Sequence, residues 1–147
     1  MGKYSVLGLV GMLSLMAGCA SGPKFNSVEA SLAAVPAGKA RIFFYRSTAL
    51  GAAIQPEVRL NGTVVGKAEP HGVFFVDRDP GNMEVVTGSE VDRKLTFTVA
   101  AGDRRYVKLG VGLGVLVYRI IPELIDEAEA LKEMSDLSYV GAGAAGK

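Results

Sequence analysis

The 147-residue chain has no tryptophan, one histidine and one cysteine. With a single cysteine it cannot close an internal disulfide, the staple on which many exported domains of this size rely. With a single histidine, His71, it cannot make a zinc site unless cysteines or several carboxylates stand beside it. A surplus of charge is missing too. The chain carries 16 basic and 15 acidic residues, and Lys3 is the one charged residue before position 19, so the remainder is balanced. No basic block occurs, which excludes nucleic acid as a partner, because phosphate recognition needs a clustered positive face. The apolar run at the start, residues 6–16, falls short of the roughly 20 residues that span a bilayer. Behind it, Ser21, Gly22, Pro23 and Lys24 break a helix rather than extend it.

What is present begins with an address. Lys3 supplies a positive start, residues 6–16 an apolar stretch interrupted only by Gly8, Gly11 and Ser14, and small Ala17 and Gly18 precede Cys19. This is the three-part layout of an export signal. Leu15-Met16-Ala17-Gly18-Cys19 resembles a bacterial lipobox, the site where a lipoprotein precursor receives diacylglycerol on cysteine and is cut just before it. Met16 stands where that motif prefers leucine, a mild departure in volume and polarity. The resemblance implies a signal peptide over residues 1–18, cleavage between Gly18 and Cys19, and lipid attachment at Cys19. A lone cysteine elsewhere is usually a small buried apolar residue; here it closes an apolar signal. One acyl chain binds a membrane only marginally, and each buried CH₂ adds about 0.8 kcal/mol. The three chains of full maturation therefore make release negligible. Ala20, rather than aspartate, implies by resemblance to enteric sorting rules an outer-membrane location with the domain facing the periplasm.

Nineteen glycines among short apolar runs point to strands and turns rather than a helical bundle. Residues 19–38 read as a lipidated tether, disordered in its first half, with a short helix after Ser27 that Pro36 ends. Residues 39–140 read as one mainly β domain, and residues 141–147 as a flexible tail. Arg41-Ile42-Phe43-Phe44-Tyr45-Arg46 is apolar on both faces, as in a central strand covered from both sides. Glu57-Val58-Arg59-Leu60 alternates, and Asn61-Gly62 after it is a hairpin turn tolerant of positive φ. Residues 73–77 form a strand, Asp79-Pro80-Gly81 a turn, and residues 83–87 continue the sheet. Residues 94–99 alternate with Leu95, Phe97 and Val99 inward. Ala101-Gly102-Asp103 turns the chain into a strand over residues 105–111. Gly110, Gly112 and Gly114 leave two readings: one long strand with a smooth glycine face, or a hairpin near 112–114. The hairpin is preferred because strands of more than about ten residues are uncommon. Pro122 reads as the start of an amphipathic helix with Leu124, Ala128 and Leu131 as its apolar stripe. Leu137 to Val140 reads as a short final strand.

These residues carry a resemblance. The lipobox, the run from Ala40 to Arg46, Leu60-Asn61-Gly62 with Gly66, Phe74-Phe75-Val76-Asp77 with Pro80-Gly81, and Ala101-Gly102 before Tyr106-Val107 look like the bacterial envelope family called domain of unknown function (DUF) 2846. Ser47 departs from the proline that family often has after the Tyr-Arg pair. The layout is also similar to PEGA-type surface modules. The resemblance implies an Ig-like or prealbumin-like antiparallel β-sandwich, here with one C-terminal amphipathic helix, and brings no catalytic residues.

Chemistry finds little support. His71 lies in a turn-forming Pro-His-Gly. A triad of Ser47 or Ser89 with His71 and Asp77 lacks any nucleophile elbow. Asp77 and Asp79 flank a turn rather than supply the six or more oxygens calcium takes. The glycines at 110–114 lack the helix a phosphate loop needs. The expectation is a non-catalytic envelope lipoprotein without cofactor or metal, held to the bilayer through acylated Cys19, that touches another envelope protein. The alternative is a small-ligand or glycan binder using loops 48–55 and 69–72, with Tyr45 and Tyr106 stacking on a sugar.

Overall fold

The structure, a computed structural model, describes residues 19–88 and 91–142. Residues 1–18, expected to be a signal peptide cut after Gly18, together with Ser89 and most of the expected tail, lie outside the described residues. Among the described residues there are nine strands: β1 (Ala40–Tyr45), β2 (Glu57–Leu60), β3 (Thr63–Lys67), β4 (Gly72–Arg78), β5 (Gly81–Thr87), β6 (Arg93–Val99), β7 (Arg104–Leu113), β8 (Tyr118–Ile125) and β9 (Ser138–Ala142). Helix α1 (Phe25–Val28) runs into a 3-10 turn (Glu29–Ser31), and helix α2 (Glu127–Met134) precedes β9.

The strands make two sheets, ordered β8-β7-β1-β4-β9 and β3-β2-β5-β6. β1 takes the centre of the first sheet because its residues are apolar in both directions, and all six are buried. Side chains alternate across a strand. Ile42 and Phe44 therefore enter the core between the sheets with Val58, Leu60, Val85, Val107 and Leu109. Phe43 and Tyr45 point the other way, into a second core with Phe25, Phe75, Tyr106, Ala130 and Met134. The molecule is thus a β-sandwich with a third, helical layer over the outer face of the first sheet. Within that layer Phe43 stacks on Tyr106 at 5.2 Å and meets the edge of Phe25 at 5.9 Å.

Several local signals act as expected. Asn61 and Gly62 both take positive φ, 49° and 82°, and join β2 to β3. The register between those strands shifts at Val58/Arg59, a bulge beside Gly66. β7 and β8 form the preferred hairpin, with its turn at residues 114–117.

Other expectations are corrected. Two pairings are parallel, β1 with β7 and β4 with β9, so the first sheet is mixed rather than purely antiparallel. The Asp79-Pro80-Gly81 turn does not continue one sheet; it carries the chain from β4 in the first sheet to β5 in the second. Pro122 lies inside β8, paired with Leu109, and does not open a helix. β8 is an edge strand, where a missing N–H costs no ladder bond. The helix instead starts after Asp126, whose carboxylate accepts from the Glu129 amide at 3.1 Å. That later start turns Ala130 and Met134 inward and leaves Ala128 exposed. Gly141 and Ala142 belong to β9 rather than to a tail.

The largest correction concerns residues 19–38. They are a strap, not a spacer. Phe25 is fully buried. The Phe25 amide donates to Leu137 O at 2.8 Å and the Tyr139 amide to Pro23 O at 2.8 Å. Further along, Arg41 Nη1 donates to Ala33 O at 2.6 Å while its Nε and Nη2 grip Asp77 at 2.8 and 2.9 Å. One aromatic residue in a Ser- and Ala-rich stretch was enough to fasten it. Removing that ring by Phe25→Ala is expected to cost about 3–5 kcal/mol, read as a lower urea midpoint, and to open residues 20–39 to protease before the sandwich unfolds.

Helix α2 is stapled by polar groups. Tyr45 Oη donates to Glu133 Oε2 at 2.6 Å, Lys108 Nζ to Glu133 Oε1 at 2.5 Å, and Tyr106 Oη to Glu127 Oε1 at 2.7 Å. Burial first, then the bond to a carboxylate, pushes both tyrosine hydroxyls far above their ordinary value. Partial burial raises the Glu133 carboxyl, but the bonds from Lys108 and Tyr45 outweigh it and hold it below the usual range. The two shifts act on opposite limbs. The tyrosine contribution is complete below about pH 10 and lost as pH rises beyond it; the Glu133 contribution is complete above about pH 4.3 and lost on acidification. Denaturation midpoints measured against pH should fall at both ends, with Tyr45→Phe flattening the alkaline limb and Glu133→Gln the acid one.

Candidate functional site: the pole around Cys19

The strand directions give the sandwich two distinct ends. At one lie the turns at 61–62, 79–80 and 100–103 and the start of β1. At the other lie the end of β1, the starts of β4 and β9, the β7–β8 turn and Cys19. Cys19 is exposed. Its neighbour is already part of the fold, since the Ala20 amide donates to Pro70 O at 3.0 Å. Ala20 also crowds Gly72, where an added Cβ would come within 2.9 Å of the Ala20 methyl. Gly22 runs so close to β9 that a Cβ there would meet the Tyr139 carbonyl oxygen at 2.1 Å. Lys24 bridges Ser138, and its Nζ donates to Asp136 O at 2.6 Å. The chain is therefore pinned from the residue after Cys19 onward.

Beneath this entry sits Arg46, fully buried at the end of β1. Its Nη1 donates to Ile54 O and Ala68 O, each at 2.8 Å, and its Nη2 to Leu50 O at 2.6 Å. Among the described residues no carboxylate lies within ion-pairing distance of it, and its Nε has no hydrogen-bond partner. Burial accordingly lowers its affinity for a proton, while a negative charge on Cys19 would raise it. That influence is purely electrostatic. Thioether formation at Cys19 would remove it. The guanidinium fork, with five donors in fixed directions, gathers carbonyls from the loop 46–56 and from the β3–β4 connection into one rigid cap. Sequence reasoning missed this role. The usable signal is a basic residue closing a doubly apolar strand, followed by nine uncharged residues, 47–55.

The other residues singled out in the sequence do not converge. His71 is an exposed turn residue with φ 57°. Asp77 is six positions further on, at the far end of β4 and roughly 20 Å away by strand rise, where Arg41 holds it. Asp79 pairs with Lys39 at 2.7 Å. A Ser47–His71–Asp77 triad is thus not assembled, and both aspartates are spent on ion pairs. Among the described residues no cluster of three or more metal-ligating side chains occurs. Tyr45 and Tyr106 are buried and bonded to α2, so neither can stack on a sugar. A depression of about 520 Å³ does exist, near Asn61, Asn82 and Phe97, away from the loops expected to hold a ligand.

Fold and pole together define a two-sheet sandwich sealed on one face by helices and by its own N-terminal strap. A family model described as "Protein of unknown function (DUF2846)" matches residues 36–119, more than half of the chain, and the chain belongs to that family. The match covers the sandwich from the approach to β1 as far as the start of β8; α2, β9 and most of the strap fall outside it. No curated protein and no solved structure matches the chain.

Replacing the clamp by Arg46→Met strands three carbonyls and should cost about 3 kcal/mol. Hydrogen exchange should then show the amides of residues 47–55 released ahead of the sheets. Arg46→Lys, which keeps the charge but not the fork, should recover only part of the loss.

Proposed function

We propose that this chain is a non-catalytic lipoprotein of the bacterial envelope, anchored by acylated Cys19 and acting through contacts its sandwich makes with another envelope component. The supporting observation is the position of Cys19. The residue that ends the signal-like sequence is also the last exposed residue before the chain is fixed to the domain. Cleavage before Cys19 would leave every contact described for the strap in place, because those contacts begin at Ala20. No helix among the described residues is long and apolar enough to cross a membrane, so the proposed attachment is through lipid rather than through a described span. The strap leaves no slack, and the domain would stand directly on the leaflet with its charged turns, Lys39, Asp79, Asp103 and Arg104, facing away. Localisation to the outer membrane follows from Ala20 by the same reading.

The test is metabolic labelling with a tagged fatty acid, with and without a lipoprotein signal-peptidase inhibitor. Wild type should carry label and accumulate as precursor on inhibition, and Cys19→Ala should carry none. Absence of label on the wild type, or equal label on both proteins, refutes the proposal.

A further inference from the structure

The tip of the β7–β8 hairpin is the most apolar exposed feature among the described residues. Leu113, Val115 and Leu116 are 83, 87 and 85% exposed. They are not on a loose loop. The Gly114 amide donates to Val117 O at 2.8 Å, closing the turn. A Cβ at Gly114 would lie 2.4 Å from that same oxygen, and one at Gly112 would lie 2.7 Å from Ile121 Cδ1. The glycines therefore let the strands close tightly while the branched side chains point out. β7 last pairs with β1 at Lys108 and runs on to Leu113; Leu109 and Val111 still pack on the core between the sheets, and the exposed tip begins at Leu113. It projects at the Cys19 end of the sandwich. Loop 46–56 supports its base, with Gly51 against the Tyr118 ring and Leu50 half exposed beside it.

We propose that this tip inserts into the phospholipid leaflet that holds the acyl chains of Cys19, as a second, non-covalent foot. The inference rests on the reading of Cys19 as lipidated. Three observations favour lipid over protein as the occupant. The tip and the acylation site share one end of the fold. No charged residue occurs from Leu109 to Tyr118 or from Ser47 to Gln55, whereas the opposite end is rich in ion pairs. The exposed residues are branched aliphatics, Leu113, Val115 and Leu116, without the aromatic and arginine anchors of a protein hot spot. Tyr118 and Arg119 at the base occupy the level of the headgroups, where such side chains settle. Charged residues also stand at this end, Glu69 beside Gly72 and Ala20, and Lys24 with its Nζ on Asp136 O. Two feet fix the tilt of the domain, which one flexible lipid anchor cannot do.

The experiment uses full-length protein matured in cells and reconstituted into vesicles of phosphatidylethanolamine and phosphatidylglycerol. Leu116→Cys and, at the opposite end, Ala101→Cys are labelled with an environment-sensitive thiol dye. Acylated Cys19 cannot react, so wild type serves as control. The dye at 116 should shift to the blue and be quenched several-fold more by nitroxide lipids than the dye at 101. Equal, water-like emission from both positions on vesicle-bound protein overturns the insertion while leaving the anchor standing. Dye uptake by wild type shows that Cys19 is free and removes the basis of both proposals. A blue shift at 116 without vesicles that grows with protein concentration assigns the tip to a second copy and also overturns the proposal.

Discussion

A strand that must bury both of its faces sets the terms for the rest of this molecule. β1 has no hydrophilic side, so a single sheet packed on one partner would leave Phe43 and Tyr45 in water. Burying a side chain of that size contributes about 2–3 kcal/mol. Two separate covers are therefore required, and the chain supplies them from different places. The second sheet covers Ile42 and Phe44. The strap, α2 and β9, drawn from the two ends of the sequence, cover Phe43 and Tyr45.

The helical cover is short of apolar residues. Phe25, Ala130, Met134 and Leu137 are its buried hydrophobic members, and polar staples complete it. Tyr45, Lys108 and Glu133 form one, Tyr106 and Glu127 another, and Arg41 ties the strap to Asp77 across the Phe75 ring at 4.0 Å. Such bonds give direction that apolar contact lacks, because a hydroxyl or guanidinium tolerates few geometries. The same economy operates at the Cys19 end, where one buried guanidinium replaces a hydrophobic plug and orders a loop made largely of alanine, glycine and serine.

Strand identity was readable in the sequence because alternation and turn chemistry are local. Glu57-Val58-Arg59-Leu60 with Asn61-Gly62 specified a hairpin without help from the rest of the chain, and the doubly apolar Ile42-Phe43-Phe44 specified a central position. What could not be read is which sheet a strand joins. Asp79-Pro80-Gly81 looks the same whether it folds a strand back or carries it across the sandwich. Pro122 satisfies the rules for a helix start and for an edge strand alike, and only the pairing with β7 decides. Phe25 was invisible as a core residue because its neighbours are those of a linker. Of the pole, Arg46 was not legible, since its partners are carbonyl oxygens, which every sequence has.

The seam between strap and β9 has a bearing on when the domain can form. Phe25 bonds to Leu137, Pro23 to Tyr139 and Lys24 to Ser138, so residues 23–25 close against residues 137–139. A chain delivered from its N-terminus cannot complete that seam until residues 137–139 have emerged, and contacts so distant in sequence are slow to find each other. The two sheets, edge strand β9 apart, can pair before that point, so the strap is the last piece of the domain to lock in place.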